Sequence, residues 1–394
     1  MSRVQANWDD LRYRAKIIIN YNYNKSMKKI IYSFFLLQVI FLPALFCQAA
    51  DSDSFFKAEV LEIVEQQGID NGAGEKIIQQ NLLLKGLDGE FAGQEIEINN
   101  INDVEVLKNN IYQTGDKIMV VASYDNDGNV FFYITDYVRS GGLWWLAAIF
   151  VLALLAIGRW KGLRSLLSLA LSFFIIIKFI LPKIMAGSDP VIITMFGALV
   201  ILLIIIYLTE GFCRRSHVAV ASVLVSLALA LFLSQLFVGL TKLTGMVSDE
   251  AMFLLSIGGQ SINFQGLLLA GIIIGFLGVL DDVVISQVAA VEQLAETDNS
   301  LNRKGLFGRA YQIGVSHVSS MANTLFLAYA GVSLPLLILF ISGQSAFTGW
   351  GQIINNEMVA TEIVRTLAGS IGLILAVPIS TFIAAWWYGR NKNF

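Results

Sequence analysis

From residue 141 onward the chain is a succession of apolar blocks, each about as long as a bilayer core is thick. A helix needs roughly 20 apolar residues to cross that core. Seven blocks qualify: 143–158, 165–185, 190–209, 218–240, 266–290, 320–342 and 364–388. Helices satisfy their own backbone groups where no water is available, so such blocks read as membrane spans. With 56% hydrophobic and 14% charged residues, little is left for a large soluble core. The fold class is therefore a polytopic α-helical membrane protein of about seven spans over 141–394, with the lipid bilayer as its first partner.

Positive charge orients the spans. The loops after the first, third and fifth blocks, and the C-terminal tail, carry Arg159, Lys161, Arg164, Arg214, Arg215, Arg303, Lys304, Arg309, Arg390 and Lys392. The alternate loops hold little beyond Lys183, Lys242 and the border residue Arg365. The basic set is expected to be cytoplasmic, together with the C-terminus. Trp144, Trp145, Trp386 and Trp387 stand at span ends, as interfacial aromatics do.

Ahead of the spans, 27–50 has a signal-peptide layout: two lysines, an apolar run, then small residues. Residues 1–26 are polar and stand outside that signal. Either Met27 is the true start, or 1–26 is a cytoplasmic tail before an uncleaved signal anchor. Both versions export the region that begins at residue 51.

Residues 51–140 form the one sizeable water-soluble region. β-rich runs occur at "FFKAEVLEIV", "QQNLLLKGL", "QEIEIN", "DKIMVVASY" and "NVFFYITDYV", separated by turn signals. They predict a small extracytoplasmic β-barrel or sandwich of OB-like size. "DNDGN" brings Asp125, Asp127 and Asn129 into alternation, but Val130 and Asp136 stand where a calcium loop needs Gly and Glu. A hairpin turn is the expectation there. Cys47 and Cys213 lie far apart and there are two histidines, so no disulfide framework, metal site or cofactor is expected. A net charge of −3 with no basic stripe argues against nucleic acid.

Two loops are more than connectors. In 241–265 the apolar part is too short to span, which suggests an interfacial or re-entrant segment. The segment 291–319 begins by continuing the fifth helix and ends in the polar "SHVSS".

The run "GFLGVLDDVVISQ" (275–287) places Asp281 and Asp282 inside the fifth span. A central aspartate costs about 2.5–3.5 kcal/mol on insertion scales. Gly271, Gly275, Gly278, Asp282, Ser286 and Ala289 share one helix face, a stripe expected to admit a neighbouring helix closely. On this geometry Asp282 and Ser286 face protein, while Asp281, about 100° away, could face another helix, a cavity or the inner interface. Asp282 lies about 22 Å into the core, in the cytoplasmic half. Lys178 differs from it by about 10 Å along the normal, so a direct pair would need strong tilt, and Lys178 is expected to snorkel outward with Lys183. Ser316, His317, Ser319, Ser320, Asn323 and Thr324 enter the same inner half from the sixth span. Intramembrane ionisable groups are functional candidates. The candidate polar site is thus Asp282, Ser286, Asn323 and Thr324, with Asp281 and His317 beside it. The competing reading is a protonated or hydrogen-bonded clamp between helices. Glu210 reads as interfacial, and Pro378 predicts a kink in the last span.

These residues resemble the YibE/F-like family of membrane proteins. "GFLGVLDDVVISQVAA" is similar to that family's marker helix, matching its glycines, its aspartate at Asp282 and its serine at Ser286. Asp281 stands where the family usually has an apolar residue. "NTLFLAYAGVSLPLL" (323–337) and "EIVRTLAGSIGLILAVPIS" (362–380) are similarly close, and the likeness covers about residues 55–390. One departure is Ser316, in "IGVS", where many relatives carry an acidic residue in a "GRD" run. The resemblance implies a multi-pass bacterial inner-membrane protein and brings no substrate with it.

The leading function is a transporter or channel for an ion or small solute, with Asp282 at the pathway. The alternative is a non-transporting sensor or scaffold whose exported β domain binds a partner; the partners expected are an envelope protein or further copies of the chain in a homo-oligomer. Neither HExxH nor GxSxG occurs, and adjacent aspartates on one helix do not form a protease pair, so no enzyme is expected.

Overall fold

The computed structural model describes residues 54–70, 76–99, 111–125, 128–256, 262–298, 300–342 and 349–389. The expected signal segment and the residues ahead of it lie outside these. The chain divides into two compact units, Met1–Trp145 and Leu146–Phe394.

In the first unit, five strands form one antiparallel sheet: β1 Ser54–Asp70, β2 Lys76–Gly86, β3 Glu95–Ile98, β4 Lys117–Tyr124 and β5 Val130–Tyr137. Their order is β3-β2-β1-β4-β5, so β1 is central. Strand alternation sends Phe56, Ala58 and Val60 inward beside Leu82, Leu84, Ile118, Val120 and Ile134. Among the described residues the expected barrel or sandwich is a single five-stranded sheet with its core on one face. Phe91, in the turn after β2, meets Phe132 on edge strand β5 at 5.1 Å between ring centroids. Buried Gln80 gives the Tyr112 backbone a substitute ladder partner: its Oε1 accepts from Tyr112 N at 2.8 Å, and its Nε2 donates to Tyr112 O at 3.1 Å. At the expected turn, β4 and β5 pair as a hairpin, Tyr124 opposite Val130, and Asp125 N donates to Asn129 O at 3.0 Å. Gly128 takes φ +84°, and both Asp125 carboxylate oxygens accept from Asn129 at 2.8 Å.

The second unit is helical. A helical stretch runs from α1 (Ser140–Ile175) through a π-turn at Ile176–Ile180 into α2 (Leu181–Met185). Beyond it come α3 Pro190–Thr209, α4 Arg214–Leu240, α5 Asp249–Ser256, α6 Phe264–Thr297, α7 Arg303–Val332, α8 Leu334–Ile341, α9 Trp350–Asn355 and α10 Glu357–Tyr388. Five of these stretches are long and apolar enough to cross a membrane: Ser140–Met185, α3, α4, α6 and α10.

The first of the five is not straight. Arg159 has φ 47° and ψ −124°, outside helical geometry. A Cβ built on Gly162 would collide with the carbonyl of Leu154. Residues eight apart on a straight helix are about 12 Å apart along the axis, so the chain folds back sharply at Arg159, giving two arms.

The sixth block differs from expectation. Its helix, α7, starts at Arg303 and stops at Val332, and α8 begins after Ser333. Pro335 sits in the first turn of α8, where its missing N–H costs nothing; continued inside α7 it would have clashed with the preceding turn. α6 runs on to Thr297, as expected for the start of 291–319, and α10 is continuous through Pro378. Within 241–265 the short apolar part forms α5, eight residues long, and 257–261 lie outside the described residues.

The core of this unit is α4, α6 and α10, with α3 against α6. A Cβ on Gly372 of α10 would stand 2.9 Å from Ala230 of α4 and 2.9 Å from the Phe276 ring of α6. Glycine there is what lets three helices converge. Ser222, Ser226 and Ser234 of α4 are buried, each hydroxyl donating to the carbonyl four residues back at 2.8–2.9 Å. Small hydroxyl residues of this kind bury their polarity within their own helix.

Candidate functional site

Near the middle of α6 the two carboxylates part company. Asp281 is buried at 7% exposure, whereas Asp282 is exposed. This reverses the orientation inferred from the glycine stripe. A shared periodicity shows which residues lie on one face but not whether a neighbour covers that face. Here Leu277, Leu280, Val284 and Val288 carry the buried face, and Asp281 falls among them. Asp281 Oδ1 accepts from the N–H of Asp282 at 3.0 Å. No ion pair among the described residues includes either aspartate.

The stripe itself is mostly uncovered. A Cβ added at Gly271 or Gly278 would meet no atom within 4 Å. At Gly275 it would lie 3.1 Å from the Tyr329 hydroxyl of α7. The close approaches of this bundle are instead at Gly314, Gly372 and Gly197, where an added Cβ would press on Val377, Phe276 and Ile180 in turn.

α6 and α7 run antiparallel, joined at two levels. Toward the Arg303 end, buried Gln287 of α6 donates through Nε2 to Ala310 O at 2.8 Å and to Thr381 Oγ1 of α10 at 2.7 Å. Toward the other end Tyr329 covers Gly275. This register sets Asp282 level with the His317–Ser320 turn. Along the groove lies a cavity of about 200 Å³, lined in part by Ser286, Gln287, His317, Met321 and Val377. Ser286 and His317 are thus brought together. Asp282 sits one turn from Ser286 on the same face, outside that lining. Asn323 and Thr324 are exposed on α7 and do not line the cavity; Thr324 Oγ1 donates to Ser320 O at 3.0 Å on its own helix.

Sequence reasoning missed Gln287, because it followed charge and passed over an uncharged amide in an apolar run. It also undervalued the ends of the bundle. Glu210 belongs to a polar chain: Arg215 binds it at 2.8 Å and approaches Glu292 of α6 at 3.7 Å, and Tyr388 of α10 donates to Glu292 at 3.0 Å. At the opposite end, Glu357 of α10 accepts from the Thr244 N–H, from the Thr244 hydroxyl at 2.7 Å and from Gly245 N at 3.2 Å. Among the described residues no three His, Cys, Asp or Glu side chains gather as a metal site would require.

A bundle of long apolar helices with carboxylates in mid-helix, in a chain that also carries a small antiparallel sheet, defines an integral membrane protein. The family model described as YibE/F-like protein matches residues 146–390, more than half of the chain. The chain belongs to the YibE/F-like family. No curated protein and no solved structure matches it.

Proposed function

We propose that this protein is a multi-pass inner-membrane transporter or channel for an ion or small solute, with the α6–α7 groove as its pathway. The observation that carries the proposal is Asp281: a buried carboxylate on the apolar face of α6, with no cation paired to it among the described residues, beside an exposed second carboxylate. Groups of this kind inside membranes mark ion and proton pathways. Asp282, Ser286 and His317 would face the permeant species, while Gln287 fixes the groove's wall. Seven crossings result if the two arms before and after Arg159 each span, and if α7 with α8 spans as well. The basic end is then cytoplasmic and the β domain extracytoplasmic.

Flux in liposomes tests this. Ion gradients imposed across vesicles holding the purified protein should drive flux that Asp282→Asn abolishes. Undiminished flux with unchanged pH dependence in that variant would remove Asp282 from the pathway.

A second reading, a sensor or scaffold, is favoured by the outer face of the sheet. Phe55, Val121 and Tyr133 are paired in register across β1, β4 and β5, and Phe55 and Tyr133 are 61% and 49% exposed. Exposed aromatics on one face suit a binding surface. Loss of function on deleting 51–140, with folded spans and intact flux, would favour this reading.

A further inference from the structure

α7 turns its polar side away from the bundle. Its buried residues are Leu306, Ala310, Gly314 and Leu325. At about 100° per residue, Gln312, Ser316, Ser319 and Asn323 lie around the opposite side, and all four are exposed. Ser316 Oγ reaches back to Gln312 O at 3.5 Å. Among the described residues nothing bonds the Gln312 or Asn323 amide or the Asp282 carboxylate.

Contacts with two of the long apolar helices fix the depth of this side. Ala310 O takes the Gln287 amide of α6, a Cβ on Gly314 would press on Val377 of α10, and Tyr329 stands over Gly275 of α6. Gln312 to Asn323 therefore runs beside the middle of those helices, over about 16 Å of rise, half a bilayer core. Hydrocarbon offers such groups no hydrogen bond, and water cannot line them without an outer wall. Protein must cover them. Beside α7, the α6 face that carries exposed Asp282 is open as well: a Cβ on Gly271 or Gly278 meets nothing within 4 Å, which leaves room for a further helix to come close.

The groups themselves name the cover. Hydroxyls and amides both donate and accept, so a two-fold copy of this side answers each group with its own kind and brings donors toward Asp282. Other apolar runs of the chain answer poorly: 143–157 has no polar group beyond two tryptophan N–H, and 30–46 offers only Tyr32, Ser33 and Gln38.

We propose that two copies of this chain pair through the outward side of α7 and the open glycine face of α6, so that the partner's α7 closes the groove. The closing of a pathway rests on the transport reading above; the pairing rests on the place of α7 beside the spans.

Cross-linking tests the pairing without flux. In full-length protein with Cys47 and Cys213 replaced by Ala, Ser316→Cys, Ser319→Cys and Phe232→Cys are oxidised in membranes. Phe232, 62% exposed on α4, is the control. A reducible band of twice the chain's mass is expected at 316 or 319 and not at 232. Cross-linking to a different protein overturns the proposal, as does no cross-link at either position in chains that photobleach as single copies in dilute lipid. Gln312→Leu with Asn323→Leu should weaken pairing at least about ten-fold, since lipid serves leucine as well as a helix does; unchanged pairing would remove the polar side from the contact. Flux separates the two readings. Paired chains that pass nothing refute the pathway and leave the pairing standing, whereas full flux from vesicles holding one copy each refutes the shared wall.

Discussion

Asp281 has the most informative side chain in the helical unit, because its surroundings do so little for it. Withdrawing a polar group from water without compensation costs roughly 1–3 kcal/mol by mutational measure, and more for a charge. If that cost is borne for function, Asp281→Asn should raise the melting temperature in detergent while lowering flux. A fall of several degrees would instead make Asp281 a structural clamp. Gln80 is the opposite case, with a full set of partners. Gln80→Ala removes both side-chain hydrogen bonds to the Tyr112 backbone, each worth about 0.5–1.5 kcal/mol, and should expose the β unit to protease at lower denaturant. Asp88 adds a pH dependence. The Lys57 N–H and its ammonium, 3.0 Å away, hold the Asp88 carboxyl below its ordinary value. Its folded-state pKa is lowered, so its stabilisation is present above about pH 4 and fades as pH falls through the folded value. The pair is half exposed and is worth under about 1 kcal/mol. Pepsin cleavage of the intact chain below pH 4 should start at slightly higher pH in Asp88→Asn.

At the scale of elements, legibility followed the type of signal. All five strands were readable, because period-2 alternation between turn residues is a local property that the sheet then used directly. The helical reversal at Arg159 was half legible: two apolar blocks flank it, but nothing in "GRWKG" says how tightly they fold back. The true start of α7 was missed because apolarity was the guide, and Arg303, Lys304 and Arg309 hide a helix from that measure. A capping signal was present, since Asn302 Oδ1 accepts from Gly305 N at 2.8 Å. The glycine stripe misled for a different reason. Gly271, Gly275 and Gly278 share a face, but the tight crossings fell to Gly314 and Gly372, whose neighbours lie far away in sequence. Gly314→Ala would press on Val377 and Gln287 and should destabilise the α6–α7–α10 junction by about 1–3 kcal/mol, seen as a lower melting temperature in detergent. Gly278→Ala, with nothing within 4 Å, should leave it unchanged.

Across the whole helical unit, polar contacts gather at the two ends and at one level between them. The Glu210–Arg215–Glu292–Tyr388 chain ties α3, α4, α6 and α10 at the basic end. Gln287 ties α6, α7 and α10 further in, and Glu357 ties α10 to the α4–α5 connection at the other end. An arrangement fixed at its ends, with unpaired carboxylates between, suits a pathway better than a passive anchor. On that reading these carboxylates act on something that crosses. The most direct test is proton and cation flux into dye-loaded liposomes, comparing wild type with Asp281→Asn and Asp282→Asn after both variants are shown to be folded and inserted. Flux is expected in wild type, with its loss in Asp282→Asn and a reduced rate with altered pH dependence in Asp281→Asn. Wild-type rates in both variants, or no flux from any of the three, would contradict that reading and turn attention to the aromatic face of the β sheet.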